Sequence, residues 1–167
     1  MTQGTPRQAD PRRIQLEARA FRDRFQSLLL ATCDPEGGPD LSYAPYLLDD
    51  DQAFCLFISE LANHTRNLRR NPHASVMFIE PEEEARNPFA RRRLTLRCLA
   101  EEVAPEERDG LLERMEARFG NTLQLLRRLP DFHLFRLQVE RGSYVRGFGQ
   151  AWALAGNGLE VLQLRQG

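Results

Sequence analysis

Lysine is absent from this sequence, and every one of its 23 basic residues is an arginine. The absence excludes chemistry that needs a lysine amine, such as a Schiff base with a carbonyl substrate. The acidic residues, 24 in number, leave a formal net charge of −1. A nearly neutral chain has no bulk attraction to nucleic acid or to a membrane surface, so we expect neither as a partner.

Cysteine is also scarce, and its pattern excludes a disulfide framework. Cys33, Cys55 and Cys98 are odd in number and lie in apolar runs, without the spacing of a zinc site. They are typical of reduced, buried thiols. The sequence contains no signal peptide and no apolar run of about 18 residues, so we expect a cytoplasmic protein. It also lacks an HExxH zinc motif, a Walker phosphate loop and a CxxC pair.

The length of 167 residues and a hydrophobic content of 41% predict one domain. We expect a disordered N-terminus over residues 1–10 and a single folded domain over residues 11–167. Seven or eight short apolar runs, mostly joined as hairpins and interrupted by helices, predict a mainly β protein. An antiparallel barrel, closed or nearly so, suits this pattern because closure removes exposed strand edges.

The last third of the chain is predicted as three strands. The pattern DFHLFRLQVE alternates, with His133, Phe135, Leu137 and Val139 on one apolar face. Arg141–Gly142 is predicted as the next turn, and residues 144–154 as a strand that carries two glycines of the GFG segment on one face. Such alternating glycines often mark the close approach of another backbone or of a ligand.

The stretch from Phe54 to Ile79 is the centre of the functional prediction. Two apolar strands flank a short helix that Asn71-Pro72 ends, because the residue before proline avoids the helical region. Polar side chains and arginines crowd this connection, and with the helix N-terminus they predict an anion site for a phosphate or carboxylate. A solvated, arginine-rich surface helix is the alternative. The candidate residues of this site are Ser59, His64, Thr65, Arg66 and Asn67.

A second group of candidates lies further along the chain. Alternation along a strand would point Arg92 away from Arg91 and Arg93, so at least one arginine faces inward and needs an anionic partner. Asp131 is the first residue of the strand predicted over residues 131–140. It is either a site residue or only the residue at which that strand starts. His133 is a weak candidate ligand for haem iron, since a lone histidine on an apolar face is usually a hydrogen-bonded core residue.

Four segments of the sequence resemble the pyridoxamine-phosphate-oxidase-like split β-barrels, and most of all their HugZ/HutZ-type haem-utilisation branch. The segments are HTxNLxxNP, NPFARRRLTL, PDFHLFRL and VRGFGQAW. The second and fourth are the specific ones, while the first also occurs in flavin-binding members. The resemblance implies a split β-barrel homodimer with ligand sites at the subunit interface. It also implies haem binding, with oxidative haem degradation in some members, or FMN binding in the wider superfamily.

The resemblance also assigns roles to individual residues. Ser59, His64, Thr65 and Asn67 fall where the superfamily holds the flavin phosphate. Arg92 and Arg93 fall where the haem branch places arginines near haem, and Asp131 falls near a carboxylate that orients the axial histidine. The haem branch takes that histidine from a C-terminal tail, whereas this sequence has no histidine after His133. We therefore expect weak haemin binding with a high-spin or heterogeneous spectrum.

Three hypotheses follow for the function. The first is a haem-utilisation protein that binds haem at a dimer interface. The second is an FMN-binding oxidoreductase that uses the connection between Phe54 and Ile79 for the phosphate. The third is a dimeric binding module without catalysis. The colour of the purified protein separates them, since flavin is yellow and haem has a Soret band.

Overall fold

The structure, a computed structural model, describes residues 9–165 and the side chains of residues 9–162. Residues 1–8 of the predicted disordered N-terminus lie outside that description. The α-helices are α1 (Pro11–Arg22), α2 (Asn63–Arg70), α3 (Pro105–Phe119) and α4 (Asn121–Leu126). The strands are β1 (Ser27–Cys33), β2 (Pro39–Pro45), β3 (Leu47–Leu48), β4 (Phe54–Ser59), β5 (His73–Ile79), β6 (Arg93–Glu102), β7 (Phe132–Gly147), β8 (Gln150–Ala155) and β9 (Glu160–Arg165).

The nine strands form one antiparallel sheet that curls upon itself. Along its main path the order is β2-β1-β5-β6-β7-β4-β3, and β8 and β9 extend from β7 as a further antiparallel pair. The two ends of this path, β2 and β3, are separated in the chain by Tyr46 alone. Because the strands at opposite ends must therefore meet, the sheet cannot be flat. The predicted mainly β split barrel with inserted helices is confirmed.

The inner side of the curled sheet holds the larger apolar core. Leu28, Leu30, Val76, Leu94 and Leu96 project into it from adjacent strands and are almost fully buried. Helix α1 closes one side of this core. Its N-cap is Asp10, whose Oδ1 accepts a hydrogen bond from the amide of Arg12 at 3.1 Å, and its apolar stripe is buried. That stripe consists of Ile14, Ala18 and Phe21.

A smaller core lies on the outer side of the sheet, under α3 and α4. Leu111, Leu112 and Met115 of α3 pack against Phe57 of β4 and Leu134 of β7. These helices cover only the part of the sheet where β4 pairs with the first half of β7. Among the described residues, no helix is both long and apolar enough to cross a lipid bilayer.

The turn predicted at Arg141–Gly142 is wrong, because β7 runs through it as one strand of 16 residues. Arg97 of β6 pairs with Arg141 and Cys98 pairs with Val139, so Glu140 is an extra residue in a β-bulge. The turn lies instead between Gly147 and Gln150, where Gly149 has a φ of +63°. Since Gly149 belongs to this turn, it does not share a strand face with Gly147 as predicted.

Candidate functional site

The two motif segments NPFARRRLTL and VRGFGQAW meet at one cleft of about 480 Å³. The first segment contributes the 3₁₀ turn Pro88–Ala90 and the start of β6, and the second contributes the end of β7. Arg93 pairs with Val145 across these two strands, which brings the neighbouring residues of both segments together. The lining residues are Glu17, Glu80, Glu84, Arg86, Asn87, Ala90, Arg92, Arg146, Gly147 and Phe148.

Two arginines of the cleft are held in place by carboxylates and aromatic rings. Arg92 lies 3.2 Å from a carboxylate oxygen of Glu80 and stacks over the ring of Phe21 at 5.1 Å. Arg146 lies 3.3 Å from Glu17 and stacks over the ring of Trp152 at 5.2 Å. A guanidinium fixed on both sides in this way loses less entropy when it binds a further anion.

Glu17 also accepts a hydrogen bond from the hydroxyl of Tyr144 at 3.0 Å. Burial and the nearby carboxylate together raise the pKa of Tyr144, so the phenol stays protonated and donates. A third arginine, Arg86, is exposed at the rim and makes no side-chain hydrogen bond within the described part of the chain. The cleft therefore presents three guanidinium groups and three carboxylates. Two pairs are formed within it, Arg92–Glu80 and Arg146–Glu17, and the third carboxylate, Glu84, is paired with Arg24.

The predicted anion site around α2 has a different geometry from the one expected. The hydroxyl of Ser59 donates to Asp131 at 2.6 Å and accepts from the amide of Leu61 at 3.1 Å. Ser59 and Asp131 are thus brought together although they lie far apart in the sequence. The guanidinium of Arg66 is exposed and donates to the carbonyls of Glu60 and Leu61 at 3.0 and 3.3 Å.

The other three candidates of this connection face the barrel. The Nδ1 atom of His64 lies 2.9 Å from the hydroxyl of Ser42, and burial lowers the pKa of His64. The amide of Asn67 donates to Thr32 at 3.0 Å and to Asp40 at 2.7 Å. Thr65 is fully buried, and its hydroxyl has no hydrogen-bond partner among the described residues.

His133 lies at the polar end of its strand face rather than among apolar side chains. Its Nε2 atom is 2.6 Å from Glu60 and its Nδ1 atom is 2.9 Å from Glu102. Arg69 of α2 lies 2.8 Å from the same Glu60 carboxylate. Because both ring nitrogens already contact carboxylates, neither is available to bind iron in this arrangement.

Arg92 and Arg93 do not join the α2 group within one chain. Helix α2 precedes the first residue of β5, whereas Arg93 pairs with Ile79 at its last residue. A strand of this length spans about 20 Å, so the two groups lie at opposite ends of it. The Nη1 atom of Arg93 donates to the carbonyl of Arg91 at 3.1 Å.

Sequence reasoning missed several residues of the cleft. Arg146 and Phe148 lie in the VRGFGQAW motif, and their place in that motif was a usable signal. Glu17 lies beside the apolar stripe of α1 and is half-buried, and Glu80 follows β5 at the start of a charged loop. Nothing in their local patterns distinguishes these two carboxylates from ordinary surface acids.

The comparisons with known proteins agree with this fold. A family model described as Pyridoxamine 5'-phosphate oxidase matches residues 14–146. The haem oxygenase HutZ of Vibrio cholerae is 43% identical over 161 residues, which cover 93% of this chain and 89% of HutZ. The predicted resemblance to the HugZ/HutZ-type branch is thereby confirmed.

Two solved structures show the same architecture. A crystal structure of Vibrio cholerae HutZ, described as a haem storage protein, matches with a TM-score of 0.69 and 41% identity over 75% of this chain and 89% of that one. Campylobacter jejuni ChuZ matches with a TM-score of 0.82 and 29% identity over 96% of this chain and 66% of ChuZ. The chain belongs to the pyridoxamine 5'-phosphate oxidase family.

Proposed function

We propose that this chain is a haem-binding protein of haem utilisation and that it works as a homodimer. The observation that carries the proposal is the cleft at which the two motif segments specific to the haem branch meet. Those segments are distant in sequence, yet each brings an arginine, Arg92 or Arg146, to one cleft. The similarity to proteins named as haem oxygenase HutZ and as a haem storage protein supports the same function.

The lining residues fit the propionate end of haem. Guanidinium groups form short, bidentate hydrogen bonds with carboxylates, and Arg86, Arg92 and Arg146 all reach the cleft. Phe148 is 67% exposed there and offers an apolar surface to a porphyrin edge. Haem, when bound, would supply the oxygen chemistry, while these side chains hold and orient it.

The same residues do not offer an axial ligand for iron. Among the described residues, no histidine, cysteine, tyrosine or methionine lines the cleft. Of the three histidines, His64 contacts Ser42 and His133 contacts two carboxylates. His73 is the first residue of β5, at the end of that strand away from the cleft. We therefore keep the expectation of a high-spin or heterogeneous spectrum for this chain with haemin.

The uncovered part of the outer sheet face supports the homodimer. Leu29, Leu41 and Tyr43 lie on β1 and β2, where α3 and α4 do not reach. Leu41 is 76% exposed and Tyr43 is 68% exposed, and the register places both beside Leu29 and its cross-strand partner Met77. An adjoining apolar group of this kind is typical of a surface that a second subunit covers.

A flavin phosphate at α2 is the second candidate, and the buried hydroxyl of Thr65 is the observation that favours it. A buried hydroxyl without a partner needs an explanation, and a nearby ligand oxygen would supply one. The side chains of Ser59, His64 and Asn67 are already bound within the chain, and the carboxylates of Asp40 and Asp131 lie among them. The cleft also contains carboxylates, but it brings three guanidinium groups together, whereas the α2 candidates include only that of Arg66, so the cleft is the better site for an anionic group.

A haemin titration followed by optical spectroscopy tests the proposal. Replacing Arg92 and Arg146 by glutamine should weaken haemin binding about tenfold or more, because each charge-assisted hydrogen bond contributes about 1.5–3 kcal/mol. Arg128→Gln removes the same charge from an exposed residue that precedes the start of β7, whereas the cleft lies at the end of that strand, and it should leave the affinity unchanged. Equal affinity in all three proteins would refute the cleft as the haem site, and tight FMN binding with a yellow protein would favour the second candidate.

Sedimentation tests the dimer separately. Leu41→Asp should shift the protein from the dimer toward the mass of one 19.3 kDa chain. Leu61→Asp changes an even more exposed leucine in the β4–α2 connection, and it should leave the mass unchanged. A wild-type protein that sediments as a monomer at micromolar concentration would contradict the proposal.

A further inference from the structure

The β-bulge in β7 places two arginines side by side on the outer face of the sheet. Arg97 of β6 and Arg141 of β7 are direct cross-strand partners. On the two sides of the bulge, Val139 and Tyr144 both point into the inner core, so Glu140 and Arg141 both project outward. Without the extra residue, strict alternation from Val139 would turn Arg141 into the core.

Opposed arginines in one register position repel each other, and like charges in direct cross-strand pairs are destabilising. Within residues 9–162, neither guanidinium forms an ion pair or a hydrogen bond. Arg136, five residues before Arg141 on the same strand, shows the usual arrangement instead. It lies 2.7 Å from Asp49 and 2.6 Å from Glu107, so that its charge is compensated within the chain.

The next cross-strand pair adds two hydroxyl groups. Thr95 and Ser143 are opposite each other and half-buried, and neither hydroxyl has a hydrogen-bond partner among the described side chains and backbone. Together with the two arginines and Gly142 they line a shallow hollow of about 310 Å³. Within the part of the chain that the structure describes, no acidic side chain lines this hollow, so it combines two positive charges with two free hydroxyl donors.

We propose that this hollow is a binding site for the phosphate group of a small molecule. The anion would relieve the repulsion between Arg97 and Arg141, with one guanidinium on each side of it. The hydroxyls of Thr95 and Ser143 would donate to its remaining oxygens. The hollow is larger than one phosphate group, which leaves room for the organic part of a phosphate monoester.

This site is distinct from the arginine-lined cleft, and the inference does not rest on the proposed function. Arg92 and Arg146 lie toward α1, where they contact Phe21 and Glu17. Arg97 and Arg141 project from the opposite face of the same two strands. The outer hollow adjoins the apolar face of β1 and β5, since Thr95 pairs with Met77.

Inorganic phosphate is the probe for the test, titrated at constant ionic strength against chloride and followed by thermal unfolding and by ³¹P line broadening. The wild-type protein should show saturable stabilisation, and Arg97→Gln or Arg141→Gln should weaken phosphate binding at least tenfold. Arg128→Gln is the matched control, because Arg128 is exposed and makes no side-chain hydrogen bond within the described part of the chain. Its phosphate affinity should equal that of the wild-type protein.

A second readout separates a binding role from a structural one. In chloride buffer alone, Arg141→Gln should raise the melting temperature, since it removes the repulsion without losing a bond. Absence of saturable phosphate binding, equal binding in all variants, or preference for acetate over phosphate would overturn the proposal. It would also fail if the arginine variants changed only the monomer–dimer equilibrium, because the arginines would then bind acids of a second copy of the chain.

Discussion

Gly142→Ala is the most direct test of how closely β6 and β7 approach beside the bulge. A Cβ atom at Gly142 would lie 2.4 Å from the carbonyl oxygen of Thr95 and 2.5 Å from a methyl carbon of Leu96. It would also lie 3.2 Å from the Cα atom of Leu96, so the obstruction includes backbone. Overpacking typically costs about 1–3 kcal/mol, and we expect the upper part of that range because the pairing of β6 with β7 must shift.

Gly110→Ala is the matched control, since the same methyl group is added where nothing lies within 4 Å. Gly110 is exposed within α3, and alanine there should raise the free energy of unfolding by about 0.5–1 kcal/mol. Urea unfolding, with equal slopes for the variants, measures both changes. A loss of less than about 0.5 kcal/mol for Gly142→Ala would refute the close approach, since neutral surface substitutions fall in that range.

Three further variants test individual features of the barrel. Thr65→Val should raise the free energy of unfolding by about 1 kcal/mol in chemical denaturation, because it removes a buried hydroxyl without a partner. His64 has a lowered pKa in the folded state, so the unfolded chain binds the proton more readily and stability should fall as the pH drops below about 6.5. His64→Gln should reduce that fall, which urea midpoints measured across this range would show. Arg22 is fully buried, and its Nη1 atom has no partner among the described residues, although Asp23 and Gln52 accept hydrogen bonds from the rest of the guanidinium. Arg22→Met should cost less than about 1 kcal/mol in thermal unfolding, because removal of a buried charge offsets the loss of those two hydrogen bonds.

The sequence predicts a strand best where local residues alone, such as an apolar run and the turn residues next to it, determine where the strand begins and ends. The sequence predicts strands over Ser27–Cys33 and His73–Ile79, since each is a mostly apolar run of seven residues next to a turn or a proline, and β1 and β5 have these bounds. Strand β4 is buried on both faces, which its continuous apolar run indicates. Asp10 before Pro11 predicts a helix start, with Asp10 as the N-cap, and α1 begins there.

The prediction fails at β7, and the bulge explains why. Alternation predicts the inner face correctly for Phe135, Leu137 and Val139. It then breaks at Glu140–Arg141, and Gly142 follows directly, so the local pattern is that of a turn. Only the pairing with β6 shows that the glycine is needed for close approach rather than for a positive φ.

In the candidate site too, the local sequence identifies individual residues but not which residues meet in the folded chain. The motifs identify Arg92 and the VRGFGQAW segment, but their meeting at one cleft depends on the β6–β7 register. The partners Glu17 and Glu80 come from α1 and from the loop after β5, and no local pattern indicates a contact at that distance. The residues around α2 were predicted as one anion site, whereas most of their polar atoms bind within the chain.

The bulge also divides the outer face of the sheet into two chemically different parts. Before it, the outward residues of β7 face α3, as Leu134 does in the smaller core. After it, the outward residues include Arg141 and Ser143, and none of the described helices covers them. One inserted residue therefore lets a single strand complete a helix-covered core with its first half and present a polar, arginine-bearing face with its second. Because Leu137 and Val139 before the bulge and Tyr144 after it all lie in the inner core, this change of outer chemistry leaves the barrel core continuous.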